Sequence, residues 1–216
     1  MRVCRREILF LRHGKTEWND QLRFQGHVDI PLNEEGMMQV GRAARRLREW
    51  RPERVIGSPL LRALQTAAAF LSRQPDCDYS VQTALAEMSF GEWESKSIFQ
   101  IETHYGELYQ QWKADPASVT PDGGESFAHT VERTRNVLAH EMPCGRTLVV
   151  SHGGVIRAAL VALLGIPSSV AWKMRIDNAS ITGVEERHGR FSLSFSNDRI
   201  HLLDGSGDPA LIPIHL

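Results

Sequence analysis

Cysteine is sparse in this chain: three occur among 216 residues, at positions 4, 77 and 144, and none belongs to a CxxC pair. An odd number of widely spaced cysteines indicates neither a disulfide framework nor a structural zinc site. Long apolar runs are lacking as well. Residues 8–11 form a run too short for a signal peptide or a membrane span, and the run at 155–166 is interrupted by Arg157. The sequence therefore predicts a cytoplasmic protein with no membrane contact.

An excess of one charge is also absent. The 25 basic and 26 acidic residues give a formal net charge of −1, and the basic residues are spread along the chain. This distribution calls for no nucleic-acid partner. Hydrophobic residues make up 42% of the chain, enough for a sizeable core, and 216 residues fit a single domain.

What the chain does contain is an alternation of apolar strand patterns and helical patterns. The predicted strands are residues 8–11, 55–57, 79–81 and 147–150, with a terminal hairpin at 181–186 and 190–196. The predicted helices begin at Asn33, near 60, near 95, at Ser126 and after 154. The alternation predicts an α/β fold, a three-layer α/β/α sandwich around a mostly parallel sheet. We expect one domain over residues 1–216, with a short helical insertion at about 88–124 over the site.

Two of the predicted strands end in the same way, with a histidine followed by glycine. Residues 11–14 read LRHG and residues 151–154 read SHGG. Ligands gather at the carboxyl ends of strands in open α/β sheets, so His13 and His152 are expected to lie close together at that edge. For the other seven histidines, an ordinary core or surface position is the simpler interpretation.

Metal binding is the alternative for such a histidine pair. It needs a third ligand at a workable spacing, and no HExxH or equivalent motif is present. The guanidinium of Arg12, next to His13, would also repel a cation. Arginine beside histidine indicates an anion instead, so we expect neither a metal nor a cofactor.

The segment LRHGKTEWN at 11–19 resembles the signature of the histidine phosphatase superfamily, also called the phosphoglycerate mutase-like family. Further motifs of that family follow in order: QGxxD at 25–29, SPLLRALQTA at 58–67, LAE at 85–87 with FGEWE at 90–94, GES at 124–126 and VSHG at 150–153. The resemblance spans roughly residues 8–202. Several such motifs in one order are far more specific than any one of them.

This resemblance implies that His13 is a nucleophile that carries the phosphoryl group. Arg12 and Arg62 would neutralise and orient the oxygens of the phosphoryl dianion, because only arginine offers a bidentate fork. Charge stabilisation and positioning supply most of the rate in phosphoryl transfer. Ser58 and Thr66 are expected to support Arg62 through local hydrogen bonds.

The same resemblance assigns the remaining site residues. Asn19 and the backbone N–H of Gly153 would add donors to the phosphoryl oxygens, and His152 would bond a transferring oxygen. Glu87 would protonate the leaving alkoxide and then activate the water that breaks the phosphohistidine. By itself, Glu87 would be read as a solvated carboxylate.

Three functions stay open at this point: a metal-independent phosphatase, a phosphoglycerate mutase, and a non-catalytic protein that binds phosphorylated ligands. A binding protein has no need for the acid Glu87. Cofactor-dependent mutases of the family carry a markedly longer segment after the acid-bearing loop, which favours a phosphatase here. The FGEWE segment resembles α-ribazole phosphatases and also broad-specificity phosphatases. The expected partner is therefore a small phosphomonoester. A homodimer stays open as the protein assembly.

Overall fold

The computed structural model describes residues 5–203, which form one mixed sheet with helices on both faces. The strands are β1 (Arg6–Arg12), β2 (Arg54–Gly57), β3 (Asp78–Val81), β4 (Gly145–Ser151), β5 (Ile181–Arg187) and β6 (Arg190–Asp198). The α-helices are α1 (Glu17–Asp20), α2 (Glu34–Arg48), α3 (Leu61–Leu71), α4 (Ile98–Ala114), α5 (Phe127–Glu141), α6 (Gly153–Leu164) and α7 (Ser168–Ala171).

The strand order across the sheet is β3-β2-β4-β1-β5-β6. Strands β3, β2, β4 and β1 pair in parallel, whereas β5 and β6 form an antiparallel hairpin at one edge. The mostly parallel sheet and the terminal hairpin predicted from the sequence are confirmed. Strands β1 and β4 lie side by side at the centre, with Arg12 opposite Ser151.

Alternate residues of the central strands face two separate cores, as the period of a strand requires. On one face, Ile8 and Phe10 of β1 pack with α5 and α6. On the other face, Leu9 and Leu11 pack with α2 and α3. These runs are apolar throughout because parallel strands are covered on both sides. The fold is therefore the predicted α/β/α sandwich.

A third apolar cluster holds α4 against the rest of the chain and is rich in aromatic side chains. Tyr109 and Trp112 stack with their rings 11° from parallel, and Phe24 and Trp93 meet them edge-on. Trp112 in turn touches Trp172, which follows α7. Offset and edge-to-face pairs of this kind stabilise beyond the apolar area that they bury. The stretch at 88–124, predicted as an insertion, thus contributes a packed aromatic wall.

The cysteines differ from one another. Cys77 is free. Cys144 takes part in a disulfide, unlike the sequence-based expectation. Cys144 directly precedes β4, and the spacing of three cysteines along the sequence does not reveal which of them form a disulfide. No helix within residues 5–203 is long and apolar enough to cross a membrane.

Candidate active site

The two histidine motifs meet at the carboxyl edge of the sheet. Because Arg12 and Ser151 are register partners at the ends of β1 and β4, the next residue of each strand leaves the sheet at the same point. The amide of His13 donates to Ser151 O at 2.9 Å, and the ring centroids of His13 and His152 lie 5.1 Å apart. Both rings are almost completely buried.

The environment of His13 prepares one ring nitrogen for reaction. Its Nδ1 lies 2.7 Å from Gly14 O, and a carbonyl can only accept, so Nδ1 carries the proton and Nε2 keeps its lone pair. Burial, followed by the nearby charges of Arg62 and Arg12, holds the pKa of His13 well below 6.5. The ring is consequently neutral at physiological pH, the state that a nucleophile requires.

His152 is oriented by a serine from another strand end. Its Nε2 lies 2.6 Å from Ser58 Oγ, which follows β2 and also accepts a bond from Leu60 N. When the hydroxyl of Ser58 donates to Nε2, the single ring proton of neutral His152 is on Nδ1. That Nδ1 is buried without a partner in the described part of the chain. Burial, then Arg62 and His13, keep the pKa of His152 well below 6.5.

Two guanidinium groups stand beside the histidines. Arg62 is 1% exposed and bonds the carbonyls of Val28 and Gly26, while Arg12 bonds Ile176 O. The Nε atoms of both arginines are buried without partners among residues 5–203. Burial lowers the pKa of Arg62 to about 10, so it stays charged at neutral pH. Fixed cations with unused donors form a site for an oxyanion.

Asn19 is placed by the loop after β1. Its Oδ1 accepts bonds from Thr16 N, from Thr16 Oγ1 and from Asn178 Nδ2 at 3.0–3.2 Å. Because the oxygen is engaged three times, the amide NH2 is the group left to donate toward the cavity. Asn178, which also bonds His13 O, is a positioning residue that no sequence motif indicated.

The candidate acid Glu87 lies against the start of α6. Its Oε1 accepts from Met88 N at 3.0 Å and its Oε2 from Gly154 N at 3.3 Å. A Cβ on Gly154 would sit 2.6 Å from Oε1, so the absence of a side chain there lets the carboxylate approach the helix. The positive end of the helix dipole is a favourable place for a carboxylate and for a phosphoryl group alike.

Of the two residues expected to support Arg62 through local hydrogen bonds, Thr66 does so and Ser58 does not. Ser58 bonds His152, and Thr66 Oγ1 bonds the backbone oxygen of Arg62 and accepts from Gly14 N. Thr66 therefore links α3 to the turn after His13. The sequence motif puts both hydroxyls close to Arg62 along the chain. It does not show that Ser58 reaches His152 at the end of the neighbouring strand.

A cavity of about 250 Å³ joins these groups. Six of the seven predicted site residues line it, and His152 is buried beside His13. The six are Arg12, His13, Asn19, Arg62, Glu87 and Gly153. The opposite wall is apolar and is formed by Trp18, Leu22, Phe24, Phe90, Ile98, Trp112 and Trp172. No group of three or more potential metal ligands occurs within residues 5–203.

Glu94 was missed by the sequence analysis, although it lies in the FGEWE motif. Its Oε1 accepts three bonds, from His27 N at 3.2 Å, from Ser89 Oγ at 3.1 Å and from Phe90 N at 3.0 Å. Residues 26–28 hold Arg62, and His27 Nε2 also donates to Glu87 O. The carboxylate of Glu94 thus connects the loop that holds Arg62 to the loop that carries Glu87.

Comparison with protein families gives one match, to the histidine phosphatase superfamily (branch 1), over residues 8–199. The chain is 31% identical over 195 residues to the adenosylcobalamin/alpha-ribazole phosphatase of Salmonella typhimurium, covering 89% of this chain and 96% of the relative. It is also 31% identical to a protein of Escherichia fergusonii named Probable phosphoglycerate mutase GpmB, covering 87% and 88%.

Solved structures agree with this match. A mycobacterial glucosyl-3-phosphoglycerate phosphatase superposes with a TM-score of 0.81 at 32% identity, covering 89% of this chain and 98% of that one. The chain spans only 50% of the length of relatives from Mycobacterium tuberculosis to which it is 37% identical over 185 residues.

Proposed function

The chain belongs to the histidine phosphatase superfamily, and we propose that it hydrolyses a small phosphomonoester through a phosphohistidine on His13, without a metal ion. The observation that carries the proposal is the free Nε2 of His13 beside unused donors of Arg12, Arg62 and His152, with Glu87 in the same cavity. A nucleophile, an oxyanion site and an acid are the parts that phosphoryl transfer to water requires.

The proposed reaction has two steps. Nε2 of His13 attacks phosphorus, the bond from phosphorus to the ester oxygen breaks, and the carboxyl proton of Glu87 passes to the leaving oxygen. Glu87 then takes a proton from water, the water oxygen bonds to phosphorus, and the P–N bond breaks. The alcohol and inorganic phosphate leave, and both side chains return to their starting states.

The donors around His13 would stabilise the charge that spreads over the phosphoryl oxygens in each step. Arg12 and Arg62 match a dianion, and their positions are already fixed by backbone carbonyls. The Nδ1–H of His152, the amide of Asn19 and the N–H of Gly153 are the neutral donors. Preorganised donors of this kind lower the barrier because they do not have to rearrange during the reaction.

A phosphoglycerate mutase is the second candidate, and the named relatives include both activities. A mutase must keep water from its phosphohistidine while the substrate turns over. In this chain α4 and its short flanking turns fill the interval after Glu87, which supports hydrolysis as the main outcome. A non-catalytic role would leave the acid and the free nucleophile without a use.

Parallel assays of the purified protein decide between these functions. One measures inorganic phosphate released from p-nitrophenyl phosphate, α-ribazole phosphate and glucosyl-3-phosphoglycerate. The other measures interconversion of 3- and 2-phosphoglycerate with added 2,3-bisphosphoglycerate. We expect phosphate release to dominate. Mutase turnover far above phosphate release would replace the proposal by the second candidate, and no turnover in either assay would support the non-catalytic role.

We propose the cytoplasm as the compartment and a single domain as the catalytic unit. In this proposal the candidate site residues of a single chain carry out catalysis, and a homodimer is not required. Fractionation of the native host and sedimentation of the purified protein test these two points.

A further inference from the structure

A third arginine lines the same cavity and has no task in the two-step reaction. Arg157 lies on α6 within the sequence that follows His152 and Gly153, and it faces the cavity together with Arg12 and Arg62. Gly153 lies beside both Arg157 and Arg12. A Cβ at Gly153 would lie 3.2 Å from Arg157 Nη1 and 3.7 Å from Arg12 Cζ.

Arg157 is held in place by contacts that do not neutralise its charge. Its Nη1 donates to Gly153 O and its Nη2 to Met174 O, each at 3.0 Å. The guanidinium also stacks on Trp172, with 4.9 Å from Cζ to the ring centroid. Its Nε is buried and finds no partner among residues 5–203. A guanidinium fixed in this way is preorganised, so little side-chain entropy is lost when an anion binds.

No carboxylate forms an ion pair with Arg157 within the described residues, and the same holds for Arg12 and Arg62. Burial, then the neighbouring charge of Arg12, lowers the pKa of Arg157 to about 10, and the charges of Glu87 and Asp177 only partly oppose this lowering. It is therefore charged at neutral pH, although the location is unfavourable for a cation. A buried charge without an ion-pair partner is costly, and a bound anion would reduce that cost.

The charges of a bound phosphomonoester leave this third cation unmatched. A phosphoryl dianion is balanced by Arg12 and Arg62, and Glu87 is neutral when it holds the proton for the leaving group. One positive charge remains, at Arg157 in the same cavity, because the nearby Asp177 is already paired with Arg175 and Arg199. A substrate with one more negative group near its ester oxygen would complete the balance.

We propose that Arg157 binds a second anionic group on the leaving alcohol, so that the preferred substrates are phosphoesters of hydroxy acids rather than of neutral alcohols. The inference rests on the proposed phosphatase function and narrows its substrate class. It ranks phosphorylated carboxylic acids above α-ribazole phosphate. A carboxylate fits the fork of a guanidinium in two parallel hydrogen bonds.

Two matched substrates test the proposal. 3-Phosphoglycerate and glycerol 3-phosphate share a three-carbon chain and differ by a carboxylate in place of a CH2OH group. The wild type should prefer 3-phosphoglycerate by about tenfold or more in kcat/KM, the size expected of a charged hydrogen bond. In Arg157→Gln this preference should disappear through a higher KM for 3-phosphoglycerate, with glycerol 3-phosphate and p-nitrophenyl phosphate changed less than about threefold.

Two more variants separate charge from structure. Arg157→Lys should keep part of the preference, and Arg175→Gln, an exposed arginine on the neighbouring segment, should keep all of it. An equal loss of activity on all three substrates in Arg157→Gln would show that Arg157 serves the transferring phosphoryl group or the structure, and would overturn the proposal. An unchanged preference in that variant would overturn it as well.

A measurement on the wild type alone does not depend on how a variant folds. Phosphonoacetate and ethylphosphonate are not hydrolysed and differ in the carboxylate. Calorimetric titration should show phosphonoacetate binding about tenfold more tightly or better. Equal affinities would contradict the Arg157 site. If the wild type hydrolysed none of the three esters but still preferred phosphonoacetate, the phosphatase proposal would fail while the anion site stood.

Discussion

The carboxylate of Glu94 accepts a hydrogen bond from the backbone amide of His27 at 3.2 Å. This bond joins two loops with different tasks, one that holds Arg62 through its carbonyls and one that carries Glu87. Gly26 makes the approach possible. It has a φ of +49°, and a Cβ there would overlap the Glu94 side chain. Glu94 and the ring of His27 thus both tie the loop that holds Arg62 to the loop that carries Glu87.

Replacing Glu94 by alanine should reduce both stability and turnover. The three donors to Oε1 would lose their acceptor, at a cost of about 1–3 kcal/mol in the free energy of unfolding. Because Glu87 and Arg62 would no longer be held at a fixed distance from each other, kcat should fall by about ten- to a hundredfold. Urea unfolding and steady-state kinetics measure the two effects. Glu94→Gln keeps an acceptor oxygen and should lie close to the wild type, while Glu92→Ala, in the same motif, is the matched control. A Glu94→Ala protein with wild-type kcat would contradict the positioning role.

His13→Ala should abolish turnover while leaving the protein folded, because no other group in the cavity can accept the phosphoryl. We expect kcat to fall by at least about a thousandfold. Acid quenching of the wild type with labelled substrate should trap an acid-labile phosphoenzyme that is missing from the variant. The exposed His140, replaced by alanine, serves as the control. A His13→Ala enzyme that still formed the phosphoenzyme would place the nucleophile elsewhere.

Glu87→Gln should affect substrates according to their leaving groups. The amide keeps the shape of the side chain but cannot supply a proton, so alkyl phosphates should lose about 10²–10³-fold in the phosphorylation step. p-Nitrophenyl phosphate leaves as a stable anion and should lose less than about tenfold in that step. Single-turnover experiments measure the rate of the phosphorylation step separately from hydrolysis of the phosphohistidine. Equal losses for the two substrates would argue against Glu87 as the acid.

Chelators should leave the activity unchanged. Three guanidiniums line the cavity and form no ion pair among the described residues, and these residues contain no cluster that could hold a metal. Vanadate should inhibit competitively, since it adopts a trigonal-bipyramidal geometry close to that of the transition state. Activity measured after dialysis against EDTA, with and without added Zn²⁺ or Mg²⁺, is the direct check. Activity that returned only with a metal would refute the assignment.

The buried histidines should make the protein less stable in mild acid. The pKa values of His13 and His152 are held well below 6.5, and that of His201 is lowered to about 4, with burial as the largest cause in each. Below pH 6.5 the unfolded chain takes up protons at these positions while the folded protein does not. Stability is then full above about pH 6.5 and falls as the pH decreases, by about 1.4 kcal/mol per pH unit for each extra proton bound to the unfolded state.

Urea unfolding at several values between pH 7 and 5 measures this slope. His201 lies outside the site and donates from Nε2 to Ala179 O. His201→Asn removes one of the three titrating groups, so its slope should be shallower than that of the wild type. A wild-type free energy of unfolding that stayed constant over this range would contradict the low pKa values.

Much of the fold could be predicted because its strands carry strong local signals. The apolar runs before His13 and His152 are buried on both faces, and this composition distinguishes central parallel strands from edge strands. The family motifs in the sequence indicated the histidine phosphatase superfamily, and the family comparison confirms it. What the sequence could not provide is the identity of partners across the sheet edge. Ser58 was expected to support Arg62 and instead bonds His152, because the turn after β2 places it next to β4.

The residues missed at the site are those whose roles depend on packing. Arg157 looked like an interruption of an apolar run, and its position over Trp172 depends on the aromatic wall around α4. Asn178 has no motif, since a lone asparagine before a strand is common. A rule that could have found Arg157 is simple: a charge within an otherwise apolar helix that follows a catalytic histidine needs a partner.

The pairing of β1 with β4 also bears on when during folding the protein becomes active. His13 and His152 lie in the first and the last third of the chain, and their meeting requires a parallel contact of high contact order, a kind that forms slowly. A partly synthesised or partly refolded chain that lacks this pairing has one histidine without the other. Recovery of catalysis during refolding therefore reports the closure of the central sheet rather than the earlier formation of helices. The rate at which activity returns therefore measures the rate at which β1 pairs with β4.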